Sequence, residues 1–144
     1  AFSTDLIVGF PGESDEDFRG TLSLLREVEF DQVYAFAYSP RPGTPAAGMD
    51  GALPHDVMQA RLQETLALQE GIQKRRNEAL IGRSFEVLVD GSGRVDNGLA
   101  KGRTRCNRIV HFPATAGRGS FVEVRIARAN AHSLIGELPG PGAA

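Results

Sequence analysis

The chain contains no tryptophan and a single cysteine. One thiol, Cys106, can form no internal disulfide and cannot build a metal site from several thiolates. His55, His111 and His132 lie far apart, with no neighbouring cysteine or ligand-spaced carboxylate, so a metal site is not expected. A membrane helix needs roughly 18 apolar residues in a row, and no run comes near that. No basic-then-apolar leader opens the chain, so a cytoplasmic setting with no membrane partner is expected. A strong excess of one charge is also missing, because the net charge is -2 over 144 residues, of which 41% are hydrophobic and 24% charged. These values are ordinary for a folded protein and exclude general disorder. The sequence opens at Ala1, without a methionine, directly before a strand-like run, which suggests a fragment of a longer chain.

The small net charge hides an imbalance. Residues 1–80 carry 7 Lys/Arg against 13 Asp/Glu, and residues 81–138 carry 9 against 5. A basic half points to a polyanionic partner. Within it, "KGRTRCNRIVHF" places Lys101, Arg103, Arg105 and Asn107 at alternate positions. In a single extended strand these would line one face, with Gly102, Thr104 and Cys106 on the other. Lysine alone would suit an edge that must not pair. Arginines with Asn107 and Arg108 suit a different task, because those groups fork onto phosphates and base edges.

The acidic half begins with a wholly apolar run, Leu6 to Phe10, that predicts a strand buried on both faces. Pro11 and Gly12 stop it. Ser14 with Asp17 three residues on predicts a capped helix, with Asp15, Glu16 and Asp17 favoured at its positive end. Capping and dipole complementarity account for Glu13 and its neighbours without a catalytic role. Phe18, Leu22, Leu25 and Val28 recur at helical spacing, and Gln32 to Tyr38 reads as a second strand. Strand, helix and strand make one parallel crossover of an α/β domain whose remaining strands lie upstream. "VGFPGES" fits no phosphate-loop spacing, although the ends of parallel strands are where such sheets place ligands.

Residues 53–80 predict a long helix, with Pro54 near its first turn, Gly82 as its C-cap and an apolar stripe interrupted at Gln69 and Gly71. The texture then changes to "SFEVLVDG", "LAKGRTRCNRIVHF", "SFVEVRIARA" and "HSLIGEL", separated by the glycine-rich turns "DGSGR" and "AGRGS". Four or five short strands at this spacing predict a small antiparallel barrel or sandwich. The tail, 139–144, is expected to be disordered.

Taken in order, "DLIVGFPGE", "YAFAYSPRPGTPAAGM", "RLQETLALQ", "GRTRCNRIVHF" and "ANAHSLIGEL" resemble the C-terminal portion of bacterial tRNA methylthiotransferases of the MiaB type. The resemblance covers nearly the whole chain. It implies three parts: residues 1–48 as the last strands of a partial TIM-type radical S-adenosylmethionine barrel, 49–80 as a closing helix, and 81–138 as an OB-like TRAM domain. It also implies S-adenosylmethionine and two [4Fe-4S] clusters in the full-length enzyme, a tRNA anticodon stem-loop as substrate, a sulfur donor for the auxiliary cluster, and a monomer.

The cluster cysteines are not in this chain, so no catalytic residue and no metal ligand is assigned to it, and alone it should be inactive. What the resemblance places here is a wall of the cofactor site at Val8, Gly9, Phe10, Tyr38 and Ser39, with Arg41 near the substrate. It places RNA contacts at Lys101, Arg103, Arg105, Asn107, Arg108, His132 and Ser133. The alternatives are a stand-alone RNA-binding module and a ribosomal-protein methylthiotransferase; the latter shares only the first two blocks.

Overall fold

The computed structural model describes residues 1–90, 98–113 and 116–139. The chain divides into two compact units, Ala1–Gln73 and the remainder from Lys74. In the first, β1 (Ser3–Val8) leads to α1 (Asp15–Val28) and β2 (Gln32–Ala37). After a single 3-10 turn at Pro45–Gly48 comes α2 (His55–Glu78), whose residues through Gln73 belong to this unit. β1 and β2 pair in parallel, from Ser3 opposite Gln32 to Val8 opposite Ala37. β1 stops two residues before the predicted Phe10, because the Gly9 N–H turns away to donate to Glu13 Oε1 at 3.1 Å.

α1 forms because its ends and its stripe agree. The Ser14 hydroxyl accepts from the Asp17 N–H, and the Asp17 carboxylate accepts from the Ser14 N–H, a reciprocal cap on the first turn. Phe18, Leu22 and Leu25 are buried, against Val8 and Leu62 on one side and Val33, Ile72 and Leu68 on the other. The strands differ from expectation. They are covered on one face only, since within this unit the helices pack on one side, and Ile7 and Phe36 are 54% and 57% exposed on the other.

The second unit holds β3 (Ser84–Val89), β4 (Leu99–Thr104), β5 (Ile109–Pro113), β6 (Phe121–Ala129) and β7 (Leu134–Glu137). These close a barrel in the order β3-β4-β5-β7-β6. Alternate residues point inward and form one core from Val87, Val89, Ala100, Val110, Phe112 and their neighbours. The run "LAKGRTRCNRIVHF" is two strands and a turn. One pairing departs from the predicted antiparallel pattern: β5 and β7 are parallel, and that contact completes the cylinder. Closure leaves no unpaired edge. α2 ends at Glu78, four residues before the predicted cap, and the Gly82 N–H instead donates to the Ile126 carbonyl of β6 at 2.8 Å. The turn "DGSGR" beyond Asp90 and the tail beyond Pro139 lie outside the described residues.

Gly102 shows how tightly the barrel wall is packed. A Cβ there would run into the Val87 side chain and sit 2.6 Å from the Leu88 carbonyl oxygen, so no side chain fits without moving backbone. Gly102→Ala is therefore expected to lower barrel stability by about 1–3 kcal/mol in chemical denaturation, as overpacking does. An unchanged midpoint would show that the wall yields.

The cap also carries a pH dependence. The Ser14 hydroxyl first, and then the Ser14 N–H, hold the Asp17 carboxyl below its usual range. A carboxyl lowered by folding stabilises the fold above its unfolded pKa, and that support disappears as pH falls through the folded value. Asp17→Asn should accordingly reduce α1 stability at neutral pH and make no difference in strong acid. A gap between the two proteins that persists in acid would mean the charge is not what matters.

Candidate nucleic-acid interface

The cationic candidates lie on β4 and on the turn that joins it to β5. β4 ends at Thr104. The Thr104 N–H donates to the Arg108 carbonyl at 3.0 Å and the Asn107 N–H to the Thr104 carbonyl at 2.8 Å, while Asn107 adopts φ 63. Asparagine tolerates that left-handed conformation better than most residues. The predicted continuous row is therefore broken. Lys101 and Arg103 share the outer face of β4 with Gly102 and Thr104 turned inward, whereas Arg105 stands in the turn and Cys106 is exposed rather than inward.

Charge on this face is partly balanced from within. Arg103 Nε donates to Asp90 Oδ2 at 3.0 Å and one Nη to Asn107 Oδ1 at 2.8 Å, so two of the predicted RNA contacts already satisfy each other. Lys101 lies opposite His111 of β5. Arg105 is exposed and forms no hydrogen bond or ion pair among the described residues. Arg108 Nε donates to Asn77 Oδ1 at 3.1 Å. The Asn77 amide in turn donates to the carbonyls of Asn130 and Ala131, both at 2.9 Å. One buried asparagine thus binds both Arg108 and the loop that carries His132 and Ser133. That loop is closed by the Asn130 N–H on the Ser133 carbonyl at 2.8 Å.

The candidates of the first unit gather at the ends of β1 and β2. Phe10 and Tyr38 meet edge to face with ring centroids 5.2 Å apart, and the Tyr38 hydroxyl is buried without a hydrogen-bond partner among the described residues. Ser39 and Arg41 are exposed in the loop that follows. Val8 cannot offer its side chain, which is fully buried against Phe18 and Leu22, and its carbonyl accepts from the Tyr38 N–H.

Sequence reasoning missed Arg61. This arginine is 7% exposed; it donates to Glu13 Oε1 and the Glu13 carbonyl, reaches Asp15 Oδ1 at 2.7 Å, and lies over the Phe18 ring. Burial opposes its charge, yet the bonds to Asp15 and Glu13 outweigh that and raise its pKa. Glu13 and Asp15 are therefore anchored to α2, not spent on the helix dipole alone. The available signal was a period of four. Arg61, Thr65, Gln69 and Gln73 are all buried on α2; Gln69 Nε2 donates to the Phe30 carbonyl and Gln73 Nε2 to the Asp31 carbonyl, and Asn77 continues the series into the second unit.

A closed five-stranded barrel with one parallel pairing and a cationic hairpin on its wall defines a small OB-like binding barrel, and a family model for the TRAM domain matches residues 78–138. The likeness extends into the first unit. The tRNA-2-methylthio-N(6)-dimethylallyladenosine synthase of Moorella thermoacetica is 45% identical over 96% of this chain and 31% of its own length. Those of Tropheryma whipplei and Mycobacterium bovis are 46% and 47% identical, each over 95% of this chain, and 30% and 28% of their own lengths. The chain thus carries a TRAM domain and is similar along nearly its whole length to these tRNA methylthiotransferases, of whose length it spans about 30%.

Because Glu13 has an 11% exposed side chain whereas Asp15 is 82% exposed, nearly all the consequence of losing Arg61 falls on Glu13. Arg61→Met should lower the unfolding midpoint more than Asp15→Asn does, and adding Glu13→Gln should recover part of the loss. If the second change brings no recovery, a stranded carboxylate is not the cause.

Proposed function

We propose that this chain is the tRNA-holding end of a radical S-adenosylmethionine enzyme that adds a methylthio group to the isopentenylated adenosine beside the anticodon. The observation that carries the reading is the 45–47% identity across both units to synthases so named. On this reading the parts are 1–48, 49–80 and 81–138, and the TRAM match at 78–138 supports the last of them. The second unit takes the anticodon stem-loop through phosphate contacts, which position RNA without reading its sequence. Lys101 and Arg105 are the foremost contacts, since Arg103 is committed to Asp90 and Asn107, and Arg108 and the His132–Ser133 loop stand where Asn77 fixes them.

In this reading the first unit is the last strand pair of a partial TIM-type barrel. A parallel pair with helices on one face and Ile7, Tyr34 and Phe36 bare on the other suits a strand pair whose inner face lines a lumen. S-adenosylmethionine fits the strand ends in one respect, the buried and unpartnered Tyr38 hydroxyl, which has a hydrogen bond to give or receive. When bound, that cofactor supplies the methyl group and the hydrogen-abstracting chemistry. Tyr38 orients it, the Phe10 ring keeps water from it, Gly9 and Ser39 border it, and Arg41 faces the substrate. An iron–sulfur cluster does not fit this chain, because each needs several thiolates and only Cys106 is here, exposed in a turn. The clusters and the docking of a sulfur donor therefore belong to other parts of a monomeric, cytoplasmic enzyme.

Counterion release makes affinity fall with salt by about 0.7–0.9 log units per phosphate neutralised. Lys101→Ala with Arg105→Ala should flatten the slope of log affinity for tRNA against log salt by about 1.5 units. An unaltered slope would remove both side chains from the interface.

A further inference from the structure

The predicted RNA contacts do not account for a cavity of about 270 Å³ between the start of β3 and the β4–β5 turn, within the second unit. Its walls are chemically mixed. Leu80 and the Phe85 ring make an apolar side, and the Arg83 guanidinium lies 5.5 Å from that ring's centroid. Ser84 and the Thr104 hydroxyl, which accepts from the Arg108 N–H at 3.2 Å, are small polar groups at its edge. Arg105 and Arg108 line the cavity as well, and Glu86, whose neighbour Phe85 turns toward the core, borders it.

This combination decides what fits. A free phosphate or a sulfate would meet Glu86 and gain nothing from Phe85 and Leu80. A purely apolar ligand would leave the arginines and Glu86 unused. A flat heteroaromatic ring with N–H donors on its edge and a phosphate beside it uses every wall: ring on Phe85, donors to Glu86, phosphate to the arginines. The volume lies just under the range of ordinary ligand pockets, about 300–1,000 Å³, and suits one ring system rather than a stacked pair. We propose that this cavity receives one unpaired nucleobase of the bound RNA, with the adjoining phosphate on Arg105 and Arg108. The proposal rests on the reading of the second unit as an RNA-binding barrel and adds to it a site for a base taken out of its stack, as single-stranded loops allow.

The chain carries its own reporter. Cys106 lines the cavity, is exposed, and is the only cysteine. The rate of its alkylation by N-ethylmaleimide is measured in the 144-residue chain with an eight-nucleotide single-stranded RNA of mixed sequence and with a blunt RNA duplex, and binding of each is followed separately by fluorescence anisotropy. The single strand at saturation should slow alkylation about fivefold or more, the scale of one stacked base, and the duplex should not. Protein alkylated beforehand should bind the single strand correspondingly more weakly with unchanged circular dichroism. Single-strand binding that leaves Cys106 fully reactive, or equal protection by the duplex, would overturn the base pocket and leave RNA binding standing. Absence of binding to either RNA would overturn both.

Discussion

Much of the second unit depends on one buried amide. Asn77, 8% exposed at the end of α2, gives both amide hydrogens to the Asn130 and Ala131 carbonyls and takes one from Arg108. A buried amide left unpaired is costly, so the three partners are held as a set. Two segments more than twenty residues apart in the chain, the start of β5 and the approach to β7, are thereby brought to the same side chain. Barrel closure acts in the same place, because β5 and β7 are the strands that pair in parallel. The cationic turn and the His132–Ser133 loop are therefore neighbours by construction.

The way the barrel carries its charge changes the meaning of the basic stretch. Cations crowded on a strand would repel one another with nothing to meet them. Asp90 and Asn107 meet Arg103, so that arginine is part of the fold as well as of the surface. Arg108 is likewise held by Asn77. Among the described residues, Lys101 and Arg105 are the members of this basic stretch without a side-chain partner. An arginine already oriented by one acceptor still presents further N–H groups in a fixed plane, which suits a phosphate that must be gripped in one orientation.

The parts of this architecture that were legible in the sequence rest on local chemistry. Ser14 and Asp17 wrote the cap of α1, alternation wrote the strands of the barrel, and the charge imbalance located the basic unit. What escaped depended on partners distant in sequence. Alternation continued through Asn107 on paper, whereas the chain turned there because the strand had to fold back onto β4; an asparagine between two arginines was the available hint. The buried face of α2 was legible only in part: Leu62 and Ile72 of the apolar stripe do pack in the core, but Arg61, Gln69 and Gln73, which answer backbone or carboxylate groups on other segments, and Thr65, which donates to the Arg61 carbonyl one turn back, share that burial. Polar burial has no hydropathy signature, only a period. The open face of β1 and β2 escaped for a related reason: an apolar run says that a strand can be buried, not what covers it.

The barrel wall also carries charges that the sequence pattern alone does not pair. Glu86 and Glu123 lie directly opposite each other on β3 and β6, an arrangement that by itself weakens a sheet. Both are exposed, so the repulsion is softened by water, and Arg125 stands next along the same face of β6, so the charge of that wall is mixed. Glu86 also borders the cavity beside the β4–β5 turn, where a carboxylate refuses phosphate and accepts the N–H edge of a base. In the proposed base site Glu86 would set the orientation of the base, with the arginines across the cavity fixing the other end.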